Sequence, residues 1–244
     1  MSVETLLLLA LFSVGFLYAS VGHGGASGYL AVLSIFSIPL AQYKTMVLLL
    51  NIIVAGVGFI QFYKVGFFKW HLCWPFLLSS IPFAFLGSKV VLDTKVYHIL
   101  LGAALIFPVI RLLGFSGQEK HIKKAIPLVK ALIWGALLGL ISGVLNIGGG
   151  IFLSPLLILT GWANSKESAS VSTLFIVCNS MAGLLGYTQA LEIQDSSVWL
   201  WFFSALAGGF AGAYVGSRYF KISTIRYLLT VVLAIASFKL LFLM

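Results

Sequence analysis

Two glycine clusters carry the chemistry that this sequence has to offer. The first is Gly22-His23-Gly24-Gly25, followed by Ala26 and Ser27; the second is Asn146-Ile147-Gly148-Gly149-Gly150. Each interrupts a long apolar run that could otherwise continue as helix, because adjacent glycines weaken helix propagation by roughly 1 kcal/mol each. A helix restarting just after such a cluster points free N–H groups and the positive end of its dipole at the interruption, and that combination attracts anions. Glycine also lets a ligand approach the backbone closely. Two facing restarts would form an anion site without a buried Lys or Arg. The cores of the apolar runs are nearly free of cations: Lys44, Lys89 and Arg218 sit near run ends. The clusters could instead serve close helix packing, which is the role expected of Gly208, Gly209 and Gly212.

Side chains around the clusters extend this chemistry. His23 lies inside the first one. Histidine titrates near neutral pH, so it can couple a proton or act as a pH-sensitive anion ligand; it can equally be a neutral ring satisfied by a carbonyl at the turn. Asn51, Asn146 and Asn179 are amides within or beside apolar runs, where such a group is costly unless paired. They can donate to an oxyanion or glue helices together. Ser170, Ser172 and Thr173 could line the same cavity, although hydroxyls in membrane helices usually bond back to their own backbone. The candidate substrate-binding set is therefore His23, Gly24, Gly25, Asn51, Asn146, Gly148, Gly149, Gly150, Thr173 and Asn179.

Other chemistries find little support. The six acids, Glu4, Asp93, Glu119, Glu167, Glu192 and Asp195, lie at run ends or in loops, which argues against a carboxylate proton relay in the membrane. His71, His98 and His121 sit at segment ends or in the linker. Cys73 and Cys178 fall in apolar runs, as small buried hydrophobes do, and no metal-ligand spacing joins them to the histidines. There is no P-loop, no Gly-x-Ser-x-Gly and no His-Glu-x-x-His. No catalytic residue, metal or cofactor is expected, and the chain reads as a non-enzyme.

The elements that must position these residues follow from composition. Of 244 residues, 61% are hydrophobic and only 9% charged, with a mean hydropathy of +1.10. A soluble domain carries about 25% charged residues, so this chain could not cover a water-facing surface without exposing apolar patches far beyond what soluble monomers tolerate. Polytopic membrane protein is the class that fits. The net charge of +9 does not signal nucleic-acid binding. The basic residues lie mostly in short breaks between apolar runs, where the positive-inside rule places them. Glu4 is the only charge before a long apolar run, so the N-terminal run reads as a retained first helix rather than a cleaved signal.

The apolar runs are roughly 4–21, 24–38, 42–63, 71–91 and 96–114, then 127–146, 149–160, 166–188, 198–218 and 222–243, with a basic linker between the two sets. Gly24-Gly25, Leu33 and Tyr63 match Gly148-Gly149, Leu157 and Tyr187 at a shift of 124; Gly87-Ser88-Lys89 matches Gly216-Ser217-Arg218 at a shift of 129. The chain thus divides into a first repeat, 1–115, a linker, 116–126, and a second repeat, 127–244. Internal duplication of this kind, with one broken segment per half, points to a secondary transporter.

Charge decides the topology. If each glycine cluster turns the chain back, one face collects eleven of the Lys and Arg residues and the other collects four; if each merely interrupts a straight helix, the split is eight to seven. The positive-inside rule prefers the first arrangement, with the linker cytoplasmic and both termini outside. Five segments per half is odd, so the halves are inverted. The arms after the glycines are short for the roughly 20 residues a crossing takes, so their tips are expected to meet near the midplane.

The stretch Ser142–Gly150, with Pro155 and Leu157 downstream, resembles the signature of the TauE/SafE sulfite-exporter family: a triple glycine, four variable positions, then Pro-x-Leu. The first half departs from it, with Ala26 in place of the third glycine and Ala31 in place of the proline. The resemblance implies a secondary carrier of sulfur-containing oxyanions, such as sulfite or organosulfonates, in a bacterial inner membrane.

The expectation is an all-α integral membrane protein of two inverted repeats that exports such anions by one half rocking against the other. Its partners would be the anion and the lipid bilayer, with proton or other ion coupling and a homo-oligomeric state left open, and no nucleic acid. An anion channel lined by the same breaks, or a scaffold subunit whose glycines only pack helices, are the alternatives.

Overall fold

The computed structural model describes residues 2–114, 125–187 and 197–219, with short helical pieces between 234 and 242. The linker expected at 116–126 and the last apolar segment, 222–243, therefore lie largely outside the described residues.

Every described element is a helix: α1 (Val3–Ser20), α2 (Ala26–Ile35), α3 (Leu40–Lys64), α4 (Trp70–Ser88), α5 (Thr94–Gly114), α6 (Leu128–Leu145), α7 (Gly150–Leu159), α8 (Ser165–Gly186) and α9 (Ser197–Arg218). Six of them, α1, α3, α4, α6, α8 and α9, are long and apolar enough to cross a membrane. The ends are set by local chemistry. Ser2 caps α1 by accepting from the Thr5 N–H. Asn164 and Glu167 cap α8 reciprocally, each side chain accepting from the other's backbone N–H at 2.9 and 3.2 Å, which satisfies two of the donors a helix start leaves open. Large apolar residues such as Leu78, Leu185 and Phe203 are exposed on the outer faces, as a hydrocarbon-facing surface requires. α2 and α7 have ten residues each, about 15 Å of helix, or half the hydrocarbon thickness.

The packing fixes relative directions. Gly208, Gly212 and Gly216 of α9 press on the backbone of Phe12, Phe16 and Ser20 of α1, so these two helices run parallel. Gly135, Gly139 and Gly143 of α6 press in the same way on Phe76, Ser80 and Ala84 of α4. A side chain on any of the six glycines would strike partner backbone, which is why small residues line these seams. α3 runs parallel to α9, with Tyr43 against Trp201 at one level and Val54 against Gly209 further on. α4 runs parallel to α8, with Cys73 against Val171 and Phe85 against Gly186. α3 and α8 run antiparallel: Asn51 meets Ser180 while Gly58 meets Thr173.

α1, α3 and α9 therefore point one way and α4, α6 and α8 the other. Since α1 and α3 are parallel with only α2 between them, the first glycine cluster turns the chain back instead of interrupting a straight helix. Ser27 and Gly28 lie against Tyr18 and Val14 of the helix they leave. The contacting pairs also exchange when the halves are exchanged. α1 with α9 becomes α6 with α4, α3 with α9 becomes α8 with α4, α2 with α3 becomes α7 with α8, and α3 with α8 maps onto itself.

Candidate functional site

The two glycine breaks converge on one buried side chain, Asn51 of α3. At the first break, Val21, Gly22 and His23 bond back to carbonyls of the last turn of α1. The chain then reverses through Gly25, whose φ of 96° lies in the left-handed region, and α2 begins without a side-chain cap. At the second break, α6 ends on Asn146 in the left-handed conformation, and α7 begins after Gly149, φ 73°, again without a side-chain cap. The amides of Gly24, Gly25, Gly148, Gly149 and Gly150 make no hydrogen bond among the described residues. Both short helices thus present open N-terminal donors, as the sequence leads one to expect.

Asn51 lies between them. Its Oδ1 accepts from the Ala26 N–H at 3.1 Å, and its Nδ2 donates to Ser180 Oγ of α8 at 2.8 Å. Gly24 packs on the Oδ1 side of the amide and Gly148 on the Nδ2 side; a Cβ at either position would overlap Asn51. The centre is thus closed around Asn51.

His23 projects from the first break towards the second. Its ring approaches the backbone of Val21 and of Gly150, with the Tyr18 ring edge-on at 6.4 Å. Yet neither ring nitrogen completes a hydrogen bond, and both are shielded from solvent. In the second break, Asn146 Oδ1 is likewise buried without a partner, as is Ser142 Oγ one turn earlier. Buried polar atoms are nearly always bonded, so these four atoms on three residues at the breaks are unusual.

Other candidates sit differently. Asn179 precedes Ser180 on α8; its Nδ2 donates to Phe175 O at 2.9 Å and its Oδ1 is unpartnered. Thr173 is turned to a packing role: its hydroxyl donates back to Ser170 O at 2.7 Å and its methyl faces Gly58. Ser172 joins Ser154 of α7 at 2.7 Å, pinning the short helix to α8. Ser180, which completes the bridge from Asn51, is the residue sequence reasoning missed. Its only signal is its place beside Asn179 in the serine-rich α8.

No described Lys or Arg bonds to the residues of the two breaks, although Tyr97, on whose ring Lys44 rests, donates to Leu145 O beside Asn146 at 3.0 Å. Lys44, Lys89, Lys166 and Arg218 rest over the rings of Tyr97, Phe85, Phe67 and Tyr214. Described His, Cys, Asp and Glu residues form no group that could hold a metal, and Cys73 and Cys178 are free thiols. A cavity of about 590 Å³ lies elsewhere, at the N-terminal ends of α4, α6 and α8, lined among others by Lys69, His71, Trp74, Trp162 and Glu167.

An all-helical bundle with six potential spans and two broken helices meeting at its centre is the architecture of a multi-pass membrane transporter. The profile of the sulfite exporter TauE/SafE family matches residues 7–240, and the chain belongs to that family. It is 35% identical over 239 residues to the probable membrane transporter protein y4hK of Sinorhizobium fredii (strain NBRC 101917 / NGR234), covering 96% of this chain and 97% of that protein. No solved structure matches it.

Proposed function

We propose that the protein is a secondary carrier of small sulfur oxyanions, sulfite or organosulfonates, acting as an exporter in a bacterial inner membrane. The observation that carries this is the convergence of both open helix starts on Asn51. When the breaks part, Gly24 and Gly25 on one side and Gly148, Gly149 and Gly150 on the other offer backbone donors to one anion. Asn51, Asn146 and Asn179 supply amides and His23 an imidazole. Among the described residues the donors at the breaks are backbone amides and neutral side chains, a set that binds an anion without a permanent ion pair.

Antiparallel α3 and α8, counterparts in the duplication, support halves 1–115 and 127–244 as inverted repeats about the linker 116–126. Alternating access then follows as the two breaks open to opposite faces in turn. The charge split supports a cytoplasmic linker with both termini outside.

The purified protein, screened by thermal shift against sulfite, thiosulfate, sulfate, taurine, sulfoacetate and carboxylate controls, is expected to be stabilised by sulfur oxyanions. Proteoliposomes should show saturable counterflow of the same anions. Stabilisation by carboxylates alone, or flux that neither saturates nor exchanges, would contradict this function.

A further inference from the structure

His23 is a buried imidazole that reaches the backbone of Val21 and Gly150 without completing a hydrogen bond to either. It occupies the turn of the first break, its ring reaches the backbone of Gly150 in the second, and both ring nitrogens are shielded and unpartnered. Leaving such atoms unsatisfied is costly, and a bound proton and anion would satisfy them. Two further orphans, Asn146 Oδ1 and Ser142 Oγ, lie in and beside the second break.

The charge environment is equally specific. α1 brings the Tyr18 phenol to the imidazole, and α2 brings the Tyr29 phenol to the same turn, against Gly25. α3 contributes the neutral amide of Asn51, α6 and the second break contribute Ser142 and Asn146, and α8 contributes Ser180. Glu4 and Glu167 stand in the first turns of α1 and α8, and Asp93 precedes α5; Glu119, Glu192 and Asp195 lie outside the described residues. The described carboxylates stand at helix ends, outside the turn that holds His23. Lys44 of α3, two turns before Asn51, rests 3.8 Å over the Tyr97 ring, and α5 brings the Tyr97 hydroxyl to Leu145 O, beside the second break. A charged His23 would therefore be buried without a carboxylate in its turn, and an anion held beside it supplies the opposite charge.

We propose that His23 is the proton-binding site of the carrier, taking up one proton for each monovalent anion, so that the two cross as a neutral pair; this rests on the anion-carrier function above. The neutral imidazole gains a proton and both nitrogens become donors. The anion accepts from the ring and from the open amides of the glycine breaks. On release both the anion and the proton leave and the imidazole returns to neutral, so charge balances at every stage. Proton and anion must then strengthen each other's binding equally, because coupling between two sites is reciprocal. Net flow follows the sum of the anion and proton gradients and ignores membrane potential; outward flow needs an anion gradient that exceeds an opposing proton gradient.

The test uses the full-length protein. In proteoliposomes, counterflow of methanesulfonate, whose own charge does not change near neutral pH, is measured first, with sulfite as the second anion. If neither exchanges, the carrier function itself fails. With the exchanging anion, net flux should carry about one proton per anion in a dye assay, corrected by a protein-free titration for sulfite, and should be unchanged by an imposed potential. Binding to detergent-solubilised protein should weaken about tenfold per pH unit on the alkaline side of the histidine titration. In His23→Gln, binding should no longer depend on pH, whereas His71→Gln and His98→Gln should leave the proton count intact. Exchange with no accompanying proton in the wild type, or the same pH dependence in His23→Gln, overturns the proposal and leaves the carrier function standing. Should His23→Gln fail to fold, the wild-type proton count alone decides.

Discussion

The Asn51 side chain donates to Ser180 Oγ across 2.8 Å and so ties α3 to α8, two antiparallel helices from opposite sides of the linker. The same amide accepts from the first residue of α2. One side chain therefore joins the first broken helix to the second half of the molecule. Relative motion of the breaks must stretch or exchange these bonds.

Removing that side chain should be felt twice. Asn51→Ala leaves the Ala26 N–H and the Ser180 hydroxyl without partners, at roughly 1–3 kcal/mol for each buried group left unsatisfied. A lowered melting temperature in detergent and a loss of counterflow are expected. Asn51→Asp keeps an acceptor for Ala26 and lets Ser180 donate instead, but it buries an unpaired carboxylate, so it too should melt below wild type. It also puts a negative charge where the anion binds, so its counterflow should vanish. Normal transport by Asn51→Asp would remove Asn51 from the site.

Gly149 is a second point of control. Its φ of 73° suits glycine, and a Cβ there would crowd Phe175 and Ser142; left-handed backbone costs other residues roughly 1–2 kcal/mol. Gly149→Leu should insert into membranes yet lose transport. Gly183→Ala is the matched control, since nothing lies within 4 Å of the added methyl, and it should transport and melt like wild type. Membrane-fraction blotting beside proteoliposome flux separates misfolding from a blocked site.

The glycine seams make a purely structural prediction. Gly139→Leu and Gly212→Leu each push a side chain into partner backbone, at Ser80 and Phe16. Overpacking of this kind costs roughly 1–3 kcal/mol. Melting should fall in both, with anion affinity unchanged in whatever fraction stays folded. A melting temperature equal to wild type would mean that the helices do not meet there.

Directions of the helices can be read chemically. In a background lacking Cys73 and Cys178, single cysteines replacing Lys69, Lys130 and Lys166 should all react with an impermeant thiol reagent from one face, since α4, α6 and α8 run parallel. Cysteines replacing Ser2 and Lys89 should react from the other. Reaction of Lys130→Cys and Lys166→Cys from opposite faces would overturn the parallel packing.

Much of this was legible in the sequence because glycine runs and loop charges are local signals. The two breaks fall where Gly22–Gly25 and Gly148–Gly150 stand, and the return of α2 along α1 agrees with the charge split that favoured a turning chain. The short arms came out at ten residues each, since nothing in their composition extends them. What the sequence could not disclose is which face each helix turns inward. Thr173 and Ser180 are both hydroxyls on one helix. Only the antiparallel register with α3 puts Ser180 against Asn51 and leaves Thr173 bonding to its own backbone. Gly208 and Gly212 were read as packing residues, and they do pack, but their partner α1 lies near the opposite end of the chain, beyond the reach of any pattern in the residues around them.

The parallel seams join α1 to α9 and α4 to α6, so these close backbone contacts run between the parts of the chain before and after the linker. A chain severed in the linker would leave the second piece with two glycine-lined helix faces and the first with the stretches of α1 and α4 backbone that those glycines cover. The two parts of the chain are interlaced like clasped fingers, each burying the other's seam.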